Sequence, residues 1–199
     1  MSVTVIAYHR GMSRWEPDAR GRLELAALAL YLERGFEQTT VAQIAERAGL
    51  AERTFFRHYA DKREVLFGGS AELQTRLVTA VAEAPAEAAP IDAVKVGLDV
   101  IGGALQGRFE HARKRHRVIR ANPELLEREL IKLAALATAL AEALEQRGVP
   151  QLTANLAAEA GIAAFKIGFN RWISAAKEQD LALLMRDSLD ELRAVTAGQ

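Results

Sequence analysis

The chain has 199 residues, 50% apolar and 26% charged, with 26 basic and 26 acidic side chains and no cysteine; that length buries a real core in one large or two small domains. Zero net charge excludes a surface coated in basic residues for nucleic acid but leaves room for a local basic patch, and the missing cysteines exclude disulfides, thiolate metal sites and cysteine nucleophiles. No window approaches the roughly 18 uncharged apolar residues that cross a bilayer, and the opening Met1–Ile6 lacks a basic leader, so the chain reads as soluble and cytoplasmic.

The helical period runs through nearly every long segment, without sustained apolar–polar alternation, and helix-forming Ala, Leu, Glu and Arg dominate. The five prolines, Pro17, Pro85, Pro90, Pro123 and Pro150, stand at segment edges, where helices tolerate them. The expected fold class is all-α. Residues 1–16 read as a flexible N-terminal arm, whose Arg10 and Arg14 either reach a minor groove or stay solvated. The first helix is expected from Asp18 to Arg34, with Leu23, Ala26, Ala27, Leu30 and Tyr31 as its buried stripe. Thr40 is placed to cap Val41–Ala48, Gly49 stops that helix, and Glu52–Tyr59 follows. Asp61 is expected to cap one long helix from Lys62 to Ala84, with Gly68-Gly69 inside it. Beyond the linker 84–90, helices are expected at 91–106, 109–121, 123–147, 153–177 and 180–197.

Gly49-Leu50-Ala51 joins two short helices through a three-residue turn, with Ile44, Ala48, Leu50, Phe55 and Tyr59 as their shared seam. Around it Arg47, Arg53, Arg57, Lys62 and Arg63 outnumber Glu46, Glu52 and Asp61. A recognition helix offers its N-terminal side chains to base edges while flanking donors hold phosphates. Arg53 suits a guanine edge and Thr54 a thymine methyl or a phosphate; Arg57 and His58 lie one turn on. Thr40 suits the opposite phosphate rim, and Lys62 a phosphate at the start of the next helix. Solvated arginines on an ordinary helical pair are the other reading of the same residues.

Leu25–Leu66 resembles the TetR family of transcriptional regulators. Ala27, Leu28, Leu32, Gly35 and Phe36 match the family's first helix. Thr39, Thr40, Val41, Ile44, Ala45, Ala48, Gly49 and Leu50 match the second segment, and Thr54, Phe55, Phe56, His58, Tyr59 and Lys62 the third. The resemblance implies a helix-turn-helix DNA-binding domain over 17–66 and an effector-binding and dimerisation domain over 67–199. Two positions depart from the pattern. Ala51 replaces the usual Ser cap, and Phe56 stands where a Tyr hydroxyl often meets a phosphate, leaving its ring for sugar or a thymine methyl. The segment Ile119–Leu125 also looks like the C-terminal domains of many actinobacterial TetR regulators, and names no ligand.

In the C-terminal part, Ala157, Gly161, Ala164, Gly168 and Ala175 form a stripe of small residues, read as a dimer face or as a tight contact within the chain. Leu181, Leu184, Leu189 and Leu192 could complete a four-helix bundle with a partner copy. Ile162, Phe165, Phe169 and Trp172 line a pocket or fill the core. Phe109, Arg113, His116 and Arg120 share a face at i, i+4, i+7 and i+11, either an anionic-effector site or a solvated face paired with Glu124, Glu127 and Glu129. His111 and His116 lack metal-ligand spacing, and neither a metal nor a cofactor is expected. No nucleophile elbow, phosphate loop or HExxH motif supports an enzyme. The resemblance thus implies a homodimeric repressor of a pseudopalindromic operator in double-stranded DNA, released by a small-molecule effector. The alternative is a ligand-binding adaptor without DNA binding, to which Ala51 and Phe56 lend weight.

Overall fold

A computed structural model describes residues 19–198; the arm expected at 1–16 lies outside them. Among the described residues there are nine α-helices and no strand, and no helix is long and apolar enough to cross a membrane. Helix α1 (Ala19–Arg34) leads to Thr40, which opens α2 (Val41–Arg47) with a capping box. The Thr40 hydroxyl accepts from the Gln43 amide at 3.2 Å, and the Thr40 amide donates to Gln43 Oε1 at 3.0 Å. Gly49 takes φ +67°, where a Cβ is strained, and α3 (Glu52–His58) follows. As its methyl side chain implies, Ala51 supplies no cap.

The continuous helix expected over 62–84 is broken. Asp61 accepts from the Arg63 and Glu64 amides at 2.7 and 3.3 Å and starts a single 3-10 turn, Glu64–Phe67, after which Gly68-Gly69 precedes α4 (Ser70–Ala82). Two successive glycines propagate a helix poorly. A Cβ at 68 would also stand 2.7 Å from the Tyr59 hydroxyl. The remaining helices are α5 (Pro90–Leu105), α6 (Phe109–Arg120), α7 (Pro123–Gln146), α8 (Gln151–Ser174) and α9 (Leu181–Ala197). Pro90 and Pro123 sit in first turns, and Asp180 caps α9 by accepting from the Leu183 amide at 2.9 Å.

Two apolar cores result. Leu23, Leu30, Phe36, Ile44 and Phe55 pack with Val65–Phe67 in the first. Leu77, Leu98, Leu140, Leu144, Trp172 and Met185 pack in the second, among α4, α5, α7, α8 and α9. Helix α6 belongs to both: Phe109 and Ala112 enter the bundle core, whereas Val118 and Ile119, with Leu125 of α7, enter the N-terminal core.

The small-residue stripe of α8 faces inward, which corrects its reading as a dimer face. Ala157 and Ala164 are buried within this one chain. A Cβ on Gly161 would lie 2.5 Å from Val94 Cγ1, and one on Gly168 would lie 2.9 Å from Met185 Cα. Ala175 is the C-cap of α8. Leu181, Leu184 and Leu189 fill the bundle core instead of meeting a partner. Small side chains were needed because α5 and α9 approach α8 closely, a demand that a partner helix would make equally. Chemical denaturation tests this packing. Gly168→Ala is expected to cost about 1–3 kcal/mol by overpacking against backbone. Gly103→Ala, with nothing within 4 Å of its added methyl, is expected to gain about 0.4–1 kcal/mol.

Candidate functional site

Helix α3 divides its side chains sharply. Phe55 and Tyr59 are buried in the N-terminal core, while Arg53, Phe56, Arg57 and His58 are exposed, Phe56 at 54%; Thr54 is half-buried. Arg53 and Arg57 make no hydrogen bond or ion pair with a described residue. Arg47, by contrast, spends its fork on Glu33, at 3.0 and 2.7 Å. The Phe56 ring stands edge-on to Phe55, centroids 5.6 Å apart, which fixes an apolar knob beside the two free guanidiniums. The exposed Thr40 hydroxyl accepts from its own helix and keeps its proton for an outside acceptor.

Lys62 does not stand at a helix start with its charge facing out. Its ammonium donates to the carbonyls of Phe36, Glu37 and Thr39 at 2.9, 3.2 and 3.1 Å and lies 4.4 Å from the Phe36 ring centroid. All three ammonium donors are thus occupied within the chain. The buried Tyr31 phenol donates to the Lys62 carbonyl at 2.6 Å, and burial pushes that phenol well above its usual range. Together they fasten the end of the helix-turn-helix to the α1–α2 loop.

Between the two cores lies a cavity of about 430 Å³. Its lining follows α7 from Leu126 to Leu140, about 20 Å at 1.5 Å per residue, so it is long for its volume. Leu77, Leu98, Ile101, Leu136 and Leu140 are among its apolar lining; Glu24, Arg115, His116, Glu129 and Lys132 are polar lining, with Arg115 and Lys132 against Phe67 of the 3-10 turn. Burial pushes His116 below its ordinary value, with Glu129 pulling the other way and Arg120 and Arg115 adding to the depression. Burial also lowers Arg115, against the pull of Glu129. Among the described residues no group of three or more His, Asp or Glu is arranged to hold a metal ion.

The structure divides the residues expected at an effector site. His116, Arg120, Phe165 and Phe169 line the cavity. Phe109 and Trp172 do not: they pack edge-on in the bundle core at 5.3 Å, and the Trp172 indole donates to the Gln179 carbonyl at 3.1 Å. Arg113 is exposed, 3.4 Å from Glu110, its guanidinium over the Phe109 ring. The cavity face of α6 is carried instead by Arg115 and His111, beside His116. Both lie in the basic run from His111 to Arg117, interrupted only by Ala112, where charge alone carries no period. His111 Nε2 meets Glu24 of α1 at 3.0 Å, a pairing across 87 residues that no local spacing signals.

Residues 25–67 match the family model of bacterial regulatory proteins, tetR family, and residues 88–197 match the MftR C-terminal domain model. The HTH-type transcriptional regulator TcmR of Streptomyces glaucescens is 37% identical over 92 residues, 46% of this chain and 41% of that protein. The mycofactocin biosynthesis regulator MftR of Mycobacterium tuberculosis, itself named as putative, is 31% identical over 99 residues, 50% of each chain. The chain therefore spans half or less of either relative in its match. The Bacillus subtilis regulator FadR, solved with stearoyl-CoA, shares the fold at TM-score 0.60 and 21% identity, over 86% of this chain and 96% of that one.

Lys62→Met should destabilise the DNA-free protein by about 1–2 kcal/mol, because it strips a charged donor from three carbonyls. Thermal and denaturant unfolding read this directly; an unchanged stability would return Lys62 to a purely phosphate-binding role.

Proposed function

The chain belongs to the TetR family of bacterial regulatory proteins, and from that premise we propose that it is a homodimeric repressor of transcription whose operator grip is loosened by a ligand in the bundle cavity. The observation that carries the reading is the outward face of α3: Arg53, Phe56 and Arg57 lie exposed on one side while Phe55 and Tyr59 lock the other into the core. Arg53 is assigned a guanine edge, Phe56 a thymine methyl, and Thr40, Thr54, Arg57 and His58 the flanking phosphates. Two such helices would read half-sites about 34–36 Å apart.

With the small-residue stripe buried, the dimer surface is assigned to the outer face of α8 and α9. Leu152, Leu156 and Ile167 are 73%, 63% and 53% exposed on one side of α8, and Leu183 and Val195 are 51% and 65% exposed on α9. The three α8 side chains share one face at helical spacing, exposed apolar side chains so aligned mark an interaction site, and a self-complementary face closes a two-fold pair.

For the effector we infer an amphipath with a single hydrocarbon chain. A cavity of about 430 Å³ drawn out along α7 suits a chain better than a compact ring system, and its polar lining suits an oxygen-bearing head. The stearoyl-CoA bound to the Bacillus subtilis FadR supports the same class.

Fluorescence anisotropy on DNA from upstream of the chain's own gene tests the DNA reading. Arg53→Ala should cost about 1–3 kcal/mol of specific affinity and relax sequence preference. Unchanged affinity removes Arg53 from the base-reading set, and no salt-sensitive specific binding by the wild type favours the adaptor reading. Leu156→Glu should leave a folded monomer by analytical ultracentrifugation; a persistent dimer moves the interface elsewhere.

A further inference from the structure

The most heavily engaged side chain of the cavity wall is Arg115, and its partners belong to different parts of the molecule. Its Nε donates to the Leu66 carbonyl in the 3-10 turn at 2.7 Å. Its Nη1 donates to Glu129 of α7 at 3.3 Å. Its guanidinium lies 4.9 Å from the Phe67 ring centroid. Leu66, Phe67, Arg115 and Glu129 all line the cavity. An arginine carries five N–H donors; Leu66 and Glu129 use two. Among the described residues no buried side-chain nitrogen or oxygen lacks a partner, so Nη2, which has none, is open to the cavity or to solvent, consistent with the 21% exposure of the side chain.

The Glu129 bond is long and single. Arg47 grips Glu33 with two bonds of 3.0 and 2.7 Å, the geometry in which guanidinium–carboxylate pairing is strong. A ligand carboxylate offering both its oxygens would compete with Glu129 for that fork. Turning the guanidinium toward it would also draw Nε away from Leu66, whose part-buried carbonyl would lose its donor.

Resting on the amphipathic-effector reading above, we propose that Arg115 binds the carboxylate or carbonyl head of that effector, and that the same movement releases the 3-10 turn which holds the helix-turn-helix. The ligand then has different contacts in the two states, as any change it drives requires. Phe67 takes part, since Lys132 also lies over its ring at 5.7 Å while pairing with Glu64 at 3.2 Å. Loss of Arg115 leaves Lys132 of α7 as the remaining cation beside that ring.

The test uses the full chain with palmitate and palmitoyl-CoA as separate probes. Calorimetry measures probe binding without DNA, and anisotropy measures operator affinity with and without saturating probe. The wild type should lose operator affinity by about tenfold or more. Arg115→Met should still bind the probe through the apolar lining yet shift operator affinity by less than about twofold, with Arg115→Lys in between. A response to palmitate assigns the head as carboxylate, and a response to palmitoyl-CoA alone assigns it as the thioester end; either supports the proposal. Glu129→Gln, which keeps the side-chain shape, should tighten probe binding by removing the competitor. A full wild-type response in Arg115→Met, or weaker probe binding in Glu129→Gln, overturns the role of Arg115. A wild type that binds neither probe overturns the amphipathic-effector reading itself.

Discussion

The stretch from Tyr59 to Ser70 cannot satisfy its own backbone, and the organisation of the molecule follows from where it finds partners. Once the chain leaves α3 and Gly68-Gly69 interrupts the next helix, its carbonyls need donors from elsewhere. Tyr31 of α1 supplies Lys62, Ser70 supplies Phe67 at 2.7 Å, and Arg115 of α6 supplies Leu66. Arg20 of α1 donates to Gly68. Donors thus arrive from both cores, and the broken helix becomes a joint instead of a strut. A continuous helix would have closed these bonds internally and left nothing for α1 or α6 to hold.

Helix α6 gives the joint its leverage. One end is built into the bundle core through Phe109 and Ala112, the other into the N-terminal core through Val118 and Ile119. Between them, His111 and Arg115 meet Glu24 and Glu129 at the cavity wall. Close-packed cores do not deform continuously, so a change in how the cavity is filled moves α6 as a body or does not move it. On the proposed reading this rigid coupling is what lets a small molecule in the bundle influence side chains on α3.

Much of this was legible in the residues. Thr40 spelled a cap, Gly49 a turn, and Ile44, Ala48, Phe55 and Tyr59 a seam, because each depends on neighbours within a few positions. The misreadings share one cause. The ammonium of Lys62 is captured by carbonyls 23 to 26 residues away, and a basic residue beside a helix-turn-helix looks the same whether it faces phosphate or protein. The α8 stripe announced a close helix neighbour without saying whose, and the answer lay in Val94 and Met185. The periodic face Phe109, Arg113, His116 and Arg120 was a true helical face aimed partly at solvent and partly at the core. Arg115, one residue from its line, carries the contact that joins the cavity to the turn.

The claim that a filled cavity moves the reading helices through this joint has a direct measure. The chain has no cysteine, so Ala42→Cys gives a single spin-label site on the exposed side of α2, and pulsed dipolar spectroscopy reports the distance between labels in the proposed dimer. Saturation with palmitoyl-CoA should displace that distribution from the DNA-bound spacing and leave labels placed on α8 where they were. A filled cavity with an unchanged distance between the α2 labels would contradict the account.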